Sequence, residues 1–400
     1  MAGITGQGDT FDLPNYVGEL FALTPADTPF LSAIGGLTGG KPTTSKDFEW
    51  QFYDLRDAAQ NVALEGANAP TAEERVRSSA NNVTQIQHEA VEVSYTKLAA
   101  TGNHGGLAIA GSNPVTDEMD WQVEQMLKQI ARDVEFSFIR GSYAKPADNS
   151  SERKTRGLIE ATSTNAESVL DTAVAIQTSA AADDIVDAAG HGLSAGDQIV
   201  FDGLTGGTGI VEGTTYYVIA ASLTTDDFKF SATKGGSAFD FTADITAGNV
   251  HKLGTLVEAD VLDLLQSAWE NGGLRESEAA TLMANAWGKR MLTKIFITDK
   301  NYREESRTVG GVSVMTIDTD FGRLNVMLNR HMPTHNLQVV SLDMCAPVIL
   351  EVPGKGFLFQ EPLAKVGSAE RTQIYGEIGL EYGNEAAHAK ITGMASQAQA

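Results

Sequence analysis

A long amphipathic helix is the feature that most restricts the folds open to this chain. Residues 113–118, with the sequence Asn-Pro-Val-Thr-Asp-Glu, carry helix start signals: candidate caps, a nearby proline and acids in the first turn. Apolar side chains then recur at three- and four-residue spacing before Gly141 ends the pattern: Val123, Met126, Leu127, Ile130, Val134 and Phe138. A run of about 25 residues is about 37 Å long. This length predicts a structural spine.

The residues before this helix begin with a segment that cannot close a core of its own. Its apolar side chains are interrupted by three prolines and followed by a glycine-rich run at 35–40. Anchors spaced in this way can lie along another surface. We therefore expect residues 1–45 to form an arm, with these candidate anchors: Phe11, Tyr16, Leu20 and Phe21.

Two alternating runs follow the arm and predict strands. Phe48, Trp50 and Phe52 alternate with polar residues, and a second alternating run covers residues 84–95. About thirty polar and charged residues separate the runs, and loops of this length are usually functional or disordered. The pattern predicts a hairpin that projects from the body. Its charged residues are candidates for contacts with another subunit, or else form a solvated loop face: Arg56, Asp57, Glu65, Glu73, Glu74, Arg75 and Arg77.

Residues 171–253 differ in composition from both flanks. They contain eleven acids and three lysines, and therefore carry a net charge of −8. Short strand-like runs at 197–201, 214–219 and 227–231 are separated by glycine-rich turns, which predicts a small all-β module. The patterns before residue 171 and after residue 253 are typical of one continuing domain. We therefore interpret the module as an insertion.

The remainder of the chain mixes helical and strand patterns. Residues 255–258 fit a capping box that precedes a helix, and residues 281–284 predict a buried strand. Residues 286–296 predict another helix, and residues 318–322 predict a hairpin turn between two strands. Strand-like runs continue to residue 382. The fold class is therefore predicted to be α+β.

The charge balance excludes several classes of function. The 400 residues contain 29 Lys and Arg against 52 Asp and Glu, for a net charge of −23. Such a field opposes binding to nucleic acid through phosphate neutralisation, and opposes binding to anionic membranes. The single Cys345 excludes an intramolecular disulfide framework and cysteine-rich zinc modules, and we expect it to be buried. The N-terminus does not resemble a signal peptide, and no apolar run approaches a membrane span.

Four patterns resemble catalytic or binding motifs, but each lacks a feature that its motif requires. The run at 35–42 resembles a phosphate-binding loop but ends in Pro42. Ser194 lies in a Gly-x-Ser-x-Gly pattern, but a strand follows it where a nucleophile elbow needs a helix. His331 and His335 flank a proline, so we expect two solvated loop histidines, and residues 318–329 lack calcium ligands. We therefore predict no enzyme activity, no cofactor and no metal site.

Two segments carry a resemblance to a known family. Residues 15–21 (NYVGELF) with 24–31 (TPADTPFL), and residues 374–385 (IYGEIGLEYGNE), resemble one branch of the tailed-bacteriophage major capsid proteins of the Hong Kong 97-type fold. The resemblance covers the chain except residues 171–253, and the order of the elements supports it. The module itself resembles β modules of phage structural proteins.

The resemblance implies a role for each segment. Residues 1–45 would be the N-terminal arm, 46–97 the extended loop that lies over a neighbouring subunit, and 98–170 the peripheral domain with its spine helix. Residues 171–253 would be the inserted all-β domain. Residues 254–345 would form the axial domain, and 346–400 would return strands to the peripheral domain.

The resemblance also implies a function, which is to self-assemble as hexamers and pentamers into an icosahedral shell around double-stranded DNA. The virion would be the protein's location, after assembly in the host bacterial cytoplasm, with scaffolding, portal and decoration proteins as candidate partners. Some relatives cross-link lysine to asparagine, but no lysine lies between Phe48 and Glu92, so we expect no cross-link here. The alternatives are an encapsulin-like nanocompartment shell, a phage tail or fibre protein, and an esterase that uses Ser194.

Overall fold

The computed structural model describes residues 26–53, 55–56, 58–71, 74–99, 118–274, 280–298, 304–309, 312–319 and 322–396. Within these ranges the α-helices are α1 (Pro29–Ala33), α2 (Tyr95–Ala99), α3 (Glu118–Arg140), α4 (Leu158–Ala161), α5 (Glu258–Glu270) and α6 (Ala286–Leu292). A π-helical segment, Thr293–Thr298, continues α6.

The strands in the first part of the chain are β1 (Lys41–Thr43), β2 (Asp47–Tyr53), β3 (Arg77–Val83), β4 (Gln85–Ser94), β5 (Ala166–Ser168), β6 (Val174–Ala175), β7 (Val186–Asp187), β8 (Gln198–Gly206), β9 (Tyr216–Ile219), β10 (Asp227–Ser231) and β11 (Ile245–Lys252). The later strands are β12 (Ala280–Ala284), β13 (Glu304–Val309), β14 (Val312–Thr319), β15 (Gly322–Leu328), β16 (Leu337–Val340), β17 (Ala346–Leu350), β18 (Leu358–Pro362), β19 (Ala369–Glu381) and β20 (Ala389–Thr392).

The described strands group into distinct sheets. The sheet that we call the spine sheet runs β1-β17-β19-β18, with β4 also paired to β19. A second sheet, called the helix-backed sheet, runs β13-β14-β15-β12-β16-β20-β5. The module sheet runs β6-β11-β8-β9-β10-β7, and β2 pairs with β3 alone as a hairpin. The mixture of helices and sheets confirms the predicted α+β class.

The predicted spine helix is present as α3. Ile130, Val134 and Phe138 are buried on one face, as the apolar spacing predicts. They share a hydrophobic cluster with Ile374 and Ile378 of β19. The helix therefore lies on the spine sheet, which also contains β4, the strand that directly follows the hairpin.

Strand β12 joins the two halves of the body because both of its faces are covered. Leu282 and Ala284 pack into the cluster that contains α5 and α6, whereas Met283 packs into the cluster of the spine helix. Side chains of a strand alternate between faces, so a strand buried along its whole length lies between two layers. This confirms the buried strand predicted at residues 281–284.

Residues 174–252 form the module sheet around a hydrophobic cluster of their own, in which Phe201, Phe228, Phe230 and Phe241 are fully buried. The strands predicted near residues 197–201, 214–219 and 227–231 are confirmed. A β-bridge between Leu170 and Leu253 brings the two ends of the module together.

Two local predictions are wrong. The run at 84–95 does not return the hairpin: β3 pairs with β2, whereas β4 pairs with β19 in the body. The alternation of β4 reflects burial against the body, and β3 (RSSANNV) has too few apolar residues to produce a periodic signal. The helix α5 begins at Glu258 after Val257, whose N–H donates to Asp260 at 2.8 Å, so the capping box does not fall at 255–258.

Candidate assembly surfaces

The base of the hairpin is fixed to the spine sheet. The indole N–H of Trp50 donates to the Gly383 carbonyl at 2.6 Å, and the ring packs edge-on against Tyr382. Asn82 is buried, and its side-chain amide donates to the Leu380 carbonyl at 2.7 Å. A Cβ on Gly379 would lie 2.7 Å from the Phe48 ring, so only glycine allows this close approach. The direction of the hairpin is thus set by the body.

The far end of the hairpin is exposed throughout its described residues. We call residues 55–56, 58–71 and 74–76 the hairpin tip. Val62, Leu64 and Val76 have exposed fractions of 75%, 85% and 78%. Several exposed apolar side chains on a projecting element are typical of an interaction surface rather than a core. The tip is therefore a candidate surface for contact with another molecule.

The charged residues predicted on this loop lie where such a contact would form. Each of those in the described ranges is exposed: Arg56, Glu65, Glu74, Arg75 and Arg77. Asp57 and Glu73 lie outside the described residues, as do the arm anchors Phe11, Tyr16, Leu20 and Phe21.

The end of the arm is held by a buried carboxylate that the sequence analysis did not identify. Glu135 of α3 is fully buried; one of its oxygens accepts the Phe30 N–H at 3.0 Å and the other accepts the Leu31 N–H at 2.6 Å. The amide of Asn329 also donates to it. The N–H groups at the start of a helix have no partner within the helix, so Glu135 satisfies two donors of α1.

The electrostatics of Glu135 follow from its burial. Desolvation raises the pKa of Glu135 above its ordinary value, while the hydrogen bonds from Leu31, Phe30 and Asn329 oppose the rise. A second contact lies beside it, where the Arg330 side chain donates to Asp27 at 2.9 Å. Together these contacts tie the first described residues of the chain to the spine helix.

The helical spacing of the sequence carries a signal for Glu135. Glu135 follows Val134 and precedes Phe138 by three residues, so it falls on the apolar face of the predicted helix. A charged residue on such a face needs a partner, because an isolated buried charge is costly. The partners, Phe30 and Asn329, are far away in sequence and could not be predicted.

The structure gives the surroundings of Ser194, His331, His335 and Cys345. Ser194 precedes the strand β8, and its N–H donates to Asp197 at 2.8 Å, so it is not on a strand-to-helix elbow. His331 and His335 lie in a loop as expected, but both are half-buried rather than solvated, and burial lowers the pKa of each. Cys345 is buried as predicted, and burial raises its pKa. Among the residues that the structure describes, no cluster of His, Cys, Asp and Glu has a metal-binding arrangement.

None of the helices in the described part of the chain has the length and apolar character needed to span a membrane.

The chain has the Hong Kong 97-type fold, and this fold defines its structural class. The cyanophage A-1(L) capsid asymmetric unit is similar with a TM-score of 0.51 at 11% identity, covering 97% of this chain and 99% of that chain. The holo-SrpI encapsulin complex from Synechococcus elongatus PCC 7942 is similar with a TM-score of 0.50 at 9% identity, covering 97% and 94%. At these identities the likeness establishes the fold.

Within that class, the chain belongs to the SU10 major capsid protein family, whose model matches residues 3–395. A curated relative, the major capsid protein of Escherichia phage Phieco32, is 30% identical over 128 residues. That alignment covers 32% of this chain and 32% of the relative, so the match spans about a third of the relative's length. The resemblance stated from residues 15–31 and 374–385 is confirmed.

Proposed function

We propose that this chain is the building block of an icosahedral phage shell, in which it assembles as hexamers and pentamers around double-stranded DNA. The observation that carries the proposal is the exposed apolar hairpin tip on a body that matches a major capsid protein family along residues 3–395. In a single subunit the described residues of the tip are exposed, whereas a ring of subunits supplies a neighbour at every position.

The segments take the following roles in this proposal. Residues 1–45 act as the arm, 46–97 as the extended loop, 98–170 as the peripheral domain, 171–253 as the inserted domain, 254–345 as the axial domain, and 346–400 as the return to the peripheral domain. The pinned hairpin base supports the role of the loop, because a rigid base delivers the tip to a fixed place on a neighbour. The separate hydrophobic cluster of the module supports an insertion.

Rings of identical subunits are held by heterologous contacts, in which one patch meets a different patch on the neighbour. Each arm and loop adds contact area at several neighbours, so modest contacts sum through multivalency. The alternating charges at Arg75 and Arg77, next to Glu73 and Glu74, set the register of the contact more than its strength.

The charge balance fits a container for DNA. Of the net charge of −23, the module carries −8, which leaves −15 on the other 317 residues. A shell wall with few cations does not grip a genome that moves during packing and ejection. The DNA is therefore enclosed without sequence-specific binding, and the protein resides in the virion after assembly in the host cytoplasm.

Assembly in this proposal needs no covalent cross-link. The loop between Phe48 and Glu92 contains no lysine to react with an asparagine of a neighbour. Denaturing gels of mature shells are therefore expected to show a single monomer band near 42.5 kDa. A ladder of covalent multimers would contradict this part of the proposal.

The other partners in the proposal are proteins of the same virion. Scaffolding, portal and decoration proteins would each bind assembled subunits rather than a pocket of one subunit. Nothing in the proposal requires an enzyme activity, a cofactor or a membrane.

An encapsulin-like nanocompartment is the second candidate, favoured by the similarity to the SrpI encapsulin. The two functions differ in what the shell contains, which is a genome for a capsid and enzymes for a nanocompartment. Purified particles that contain nuclease-protected DNA would support the capsid, and particles filled with a single host enzyme would support the nanocompartment.

The proposal is tested by negative-stain microscopy of the expressed chain, alone and with its scaffold gene. Closed shells are the expected result, and filaments or monomers in both preparations would contradict it. The variant Arg75→Glu/Arg77→Glu is expected to block or distort the shells, because it reverses the charges that set the register. If that variant forms shells with the same shape and yield as the wild type, the role of these two residues is refuted.

A further inference from the structure

A cleft of about 1080 Å³ lies between the end of α3 and the base of the hairpin. Five parts of the chain form its walls, which are residue 46, the start of β4, residues 136–154, the end of β17 and residue 377 in β19. Four cationic side chains line the cleft, although the chain as a whole has a net charge of −23: Lys46, Arg140, Arg153 and Lys154. Positive charge is therefore gathered at one place on an acidic chain.

Most of this positive charge is not neutralised by the described acidic side chains. Lys46, Arg140 and Lys154 form no ion pair with an acid of the described residues. The Arg153 guanidinium contacts Glu377 through one nitrogen at 3.1 Å, while its Nη1 is buried and has no hydrogen-bond partner among the described residues. A buried donor without a partner is costly, and an oxygen of a bound anion would satisfy it.

The acids that line the cleft leave an excess of positive charge. Glu377 is already held by Arg153, and the Asp148 carboxylate accepts hydrogen bonds from Ser150. Glu152 is the third acid in the lining, so four cations against three acids leave a net charge of +1. Charges are screened over about 8 Å at physiological ionic strength. A small ligand inside the cleft therefore responds mainly to the nearby cations rather than to the net charge of the chain.

The loop that follows α3 adds uncharged hydrogen-bond donors to the lining. Ser142 and Ser151 contribute hydroxyl groups, and Asn149 contributes an amide. A phosphate group has several oxygens, so it can accept hydrogen bonds from cationic and neutral donors at the same time. The donors of the cleft therefore suit a phosphate.

The cleft also presents apolar surface beside its cations. Phe136 and Ile86 line it, and each has an exposed fraction of 46%. The Arg140 guanidinium lies 5.6 Å from the centre of the Phe136 ring, so these two side chains form a cation–aromatic pair. Aromatic rings and guanidinium groups are surfaces on which a nucleobase stacks. The cleft therefore matches a ligand that carries a ring as well as negative charge.

Size and charge separate the anions that could enter the cleft. A bare phosphate would use the cations and leave the apolar wall uncovered, in a cleft as large as the upper end of small-molecule sites, about 1,000 Å³. A DNA duplex would also run along the outer surface of a chain whose net charge is −23, which repels its phosphates. An organic phosphate of nucleotide size meets both requirements.

We infer that this cleft binds a nucleoside polyphosphate, with the phosphates held by Lys46, Arg153 and Lys154 and the base stacked against Phe136 and Arg140. The inference goes beyond the shell-building function and does not depend on it. The ligand contacts the end of α3, the loop that follows it and the base of the hairpin at once. Its binding therefore stabilises the junction from which the hairpin projects.

Isothermal titration calorimetry of the intact chain tests the inference with three probes at one fixed ionic strength: magnesium-free ATP, inorganic tripolyphosphate and adenosine. ATP is expected to bind at one site per chain and about fivefold or more tighter than tripolyphosphate, because stacking of the base adds to the charge contacts. Adenosine alone is expected to bind much more weakly than either. No binding of ATP, or equal affinities for ATP and tripolyphosphate, would overturn the inference.

Two variants locate the two halves of the ligand. Lys46→Ala/Lys154→Ala removes two exposed cations and is expected to weaken the binding of ATP and of tripolyphosphate by at least about tenfold. Phe136→Ala removes the stacking surface, so it is expected to lower the affinity for ATP to that for tripolyphosphate and to leave the affinity for tripolyphosphate unchanged. The matched control, Lys229→Ala/Lys234→Ala, makes the same change in net charge on the module and should bind ATP like the wild type.

Unchanged affinity for ATP in Lys46→Ala/Lys154→Ala, or an equal loss in the module control, would show that ATP binds elsewhere and overturn the inference. A preference for ATP that persists in Phe136→Ala would overturn it as well. Short duplex DNA, added as a fourth probe, is expected not to compete with ATP. Competition that Lys46→Ala/Lys154→Ala abolishes would identify the cleft as a contact for a nucleic-acid backbone instead. Circular dichroism shows whether each variant is folded, and none of these measurements depends on shell formation, so a negative result leaves the proposed function standing.

Discussion

At the scale of single residues, the burial of a side chain could be predicted from the sequence wherever apolar residues followed a periodic pattern. Ile130, Val134 and Phe138 are buried as their spacing predicts, and Cys345 is buried as its type predicts. Glu135 is the main residue that this reasoning missed. Its hydrogen bonds join residues more than a hundred positions apart, and a single sequence carries no information about such pairs.

Removing the acceptor at Glu135 is expected to destabilise the arm's attachment and the fold. Glu135→Leu leaves the N–H groups of Phe30 and Leu31 and the amide of Asn329 without their acceptor, which costs about 3 kcal/mol in the free energy of unfolding. Urea denaturation of the variant and the wild type measures this loss. A difference below about 1 kcal/mol would show that water replaces the carboxylate without penalty.

The raised pKa of Glu135 gives a second, pH-dependent expectation. The folded state holds this proton more tightly than the unfolded chain, so the resulting stability is present below the unfolded pKa. That contribution is lost as the pH rises through the raised folded pKa. Glu135→Gln cannot titrate at this position. The stability advantage of the wild type over Glu135→Gln is therefore expected to be larger at pH 4 than at pH 7, and the reverse order would contradict the raised pKa.

At the scale of elements, the strong periodic segments were predicted and the irregular ones were not. The spine helix, the buried strand β12 and the strands of the module follow from hydrophobic spacing. The return strand of the hairpin was missed because β3 is mostly polar, with its first three residues exposed, and so carries no apolar alternation. The cleft of about 1080 Å³ between the end of α3 and the base of the hairpin could not be predicted at all, since five separate segments form its walls.

Variants at two phenylalanines of the spine helix measure the contributions to folding and to assembly separately. Phe138 is fully buried against the spine sheet, so Phe138→Ala is expected to cost about 3–5 kcal/mol in the free energy of unfolding. Phe136, two residues earlier, has an exposed fraction of 46% and lines the cleft, so Phe136→Ala is expected to cost less than about 1 kcal/mol. Denaturant titration of both variants measures the difference, and equal losses would contradict the described packing of the helix.

Phe136→Ala also gives an expectation about assembly. The variant removes an exposed apolar ring without disturbing the core, so its subunits are expected to fold normally. Exposed apolar surface on the body is where a neighbouring subunit would pack, so the variant is expected to yield fewer shells. Particle counts by negative stain at matched protein concentration provide the measurement. A full shell yield from Phe136→Ala would show that this ring does not contact a neighbour.

At the scale of the whole molecule, the order of the segments predicted more than any motif did. The sequence of arm, hairpin, spine helix, β module and mixed body supported the resemblance that the family match over residues 3–395 confirms. The way in which the module attaches was not predictable. Gln198 of β8 donates to the Ser396 hydroxyl at 2.6 Å, so the module contacts a residue near the far end of the chain.

The module is expected to be removable as a unit. Leu170 and Leu253 are bridged, so a short glycine-serine linker can replace residues 171–253 without stretching the body. The shortened chain is expected to keep a cooperative thermal transition, and residues 171–253 expressed alone are expected to fold around their own cluster. Thermal unfolding followed by circular dichroism measures both. A shortened chain without a cooperative transition would show that the module is part of the body's core.

The central claim is that this chain forms a closed shell in which the hairpin tip of each subunit lies on a second copy. A cryo-electron microscopy reconstruction of the assembled wild-type protein tests that claim most directly. The account predicts icosahedral particles built from hexamers and pentamers, with the density of each hairpin tip lying against an adjacent subunit. Particles without icosahedral symmetry, or tips folded back on their own subunit, would contradict it.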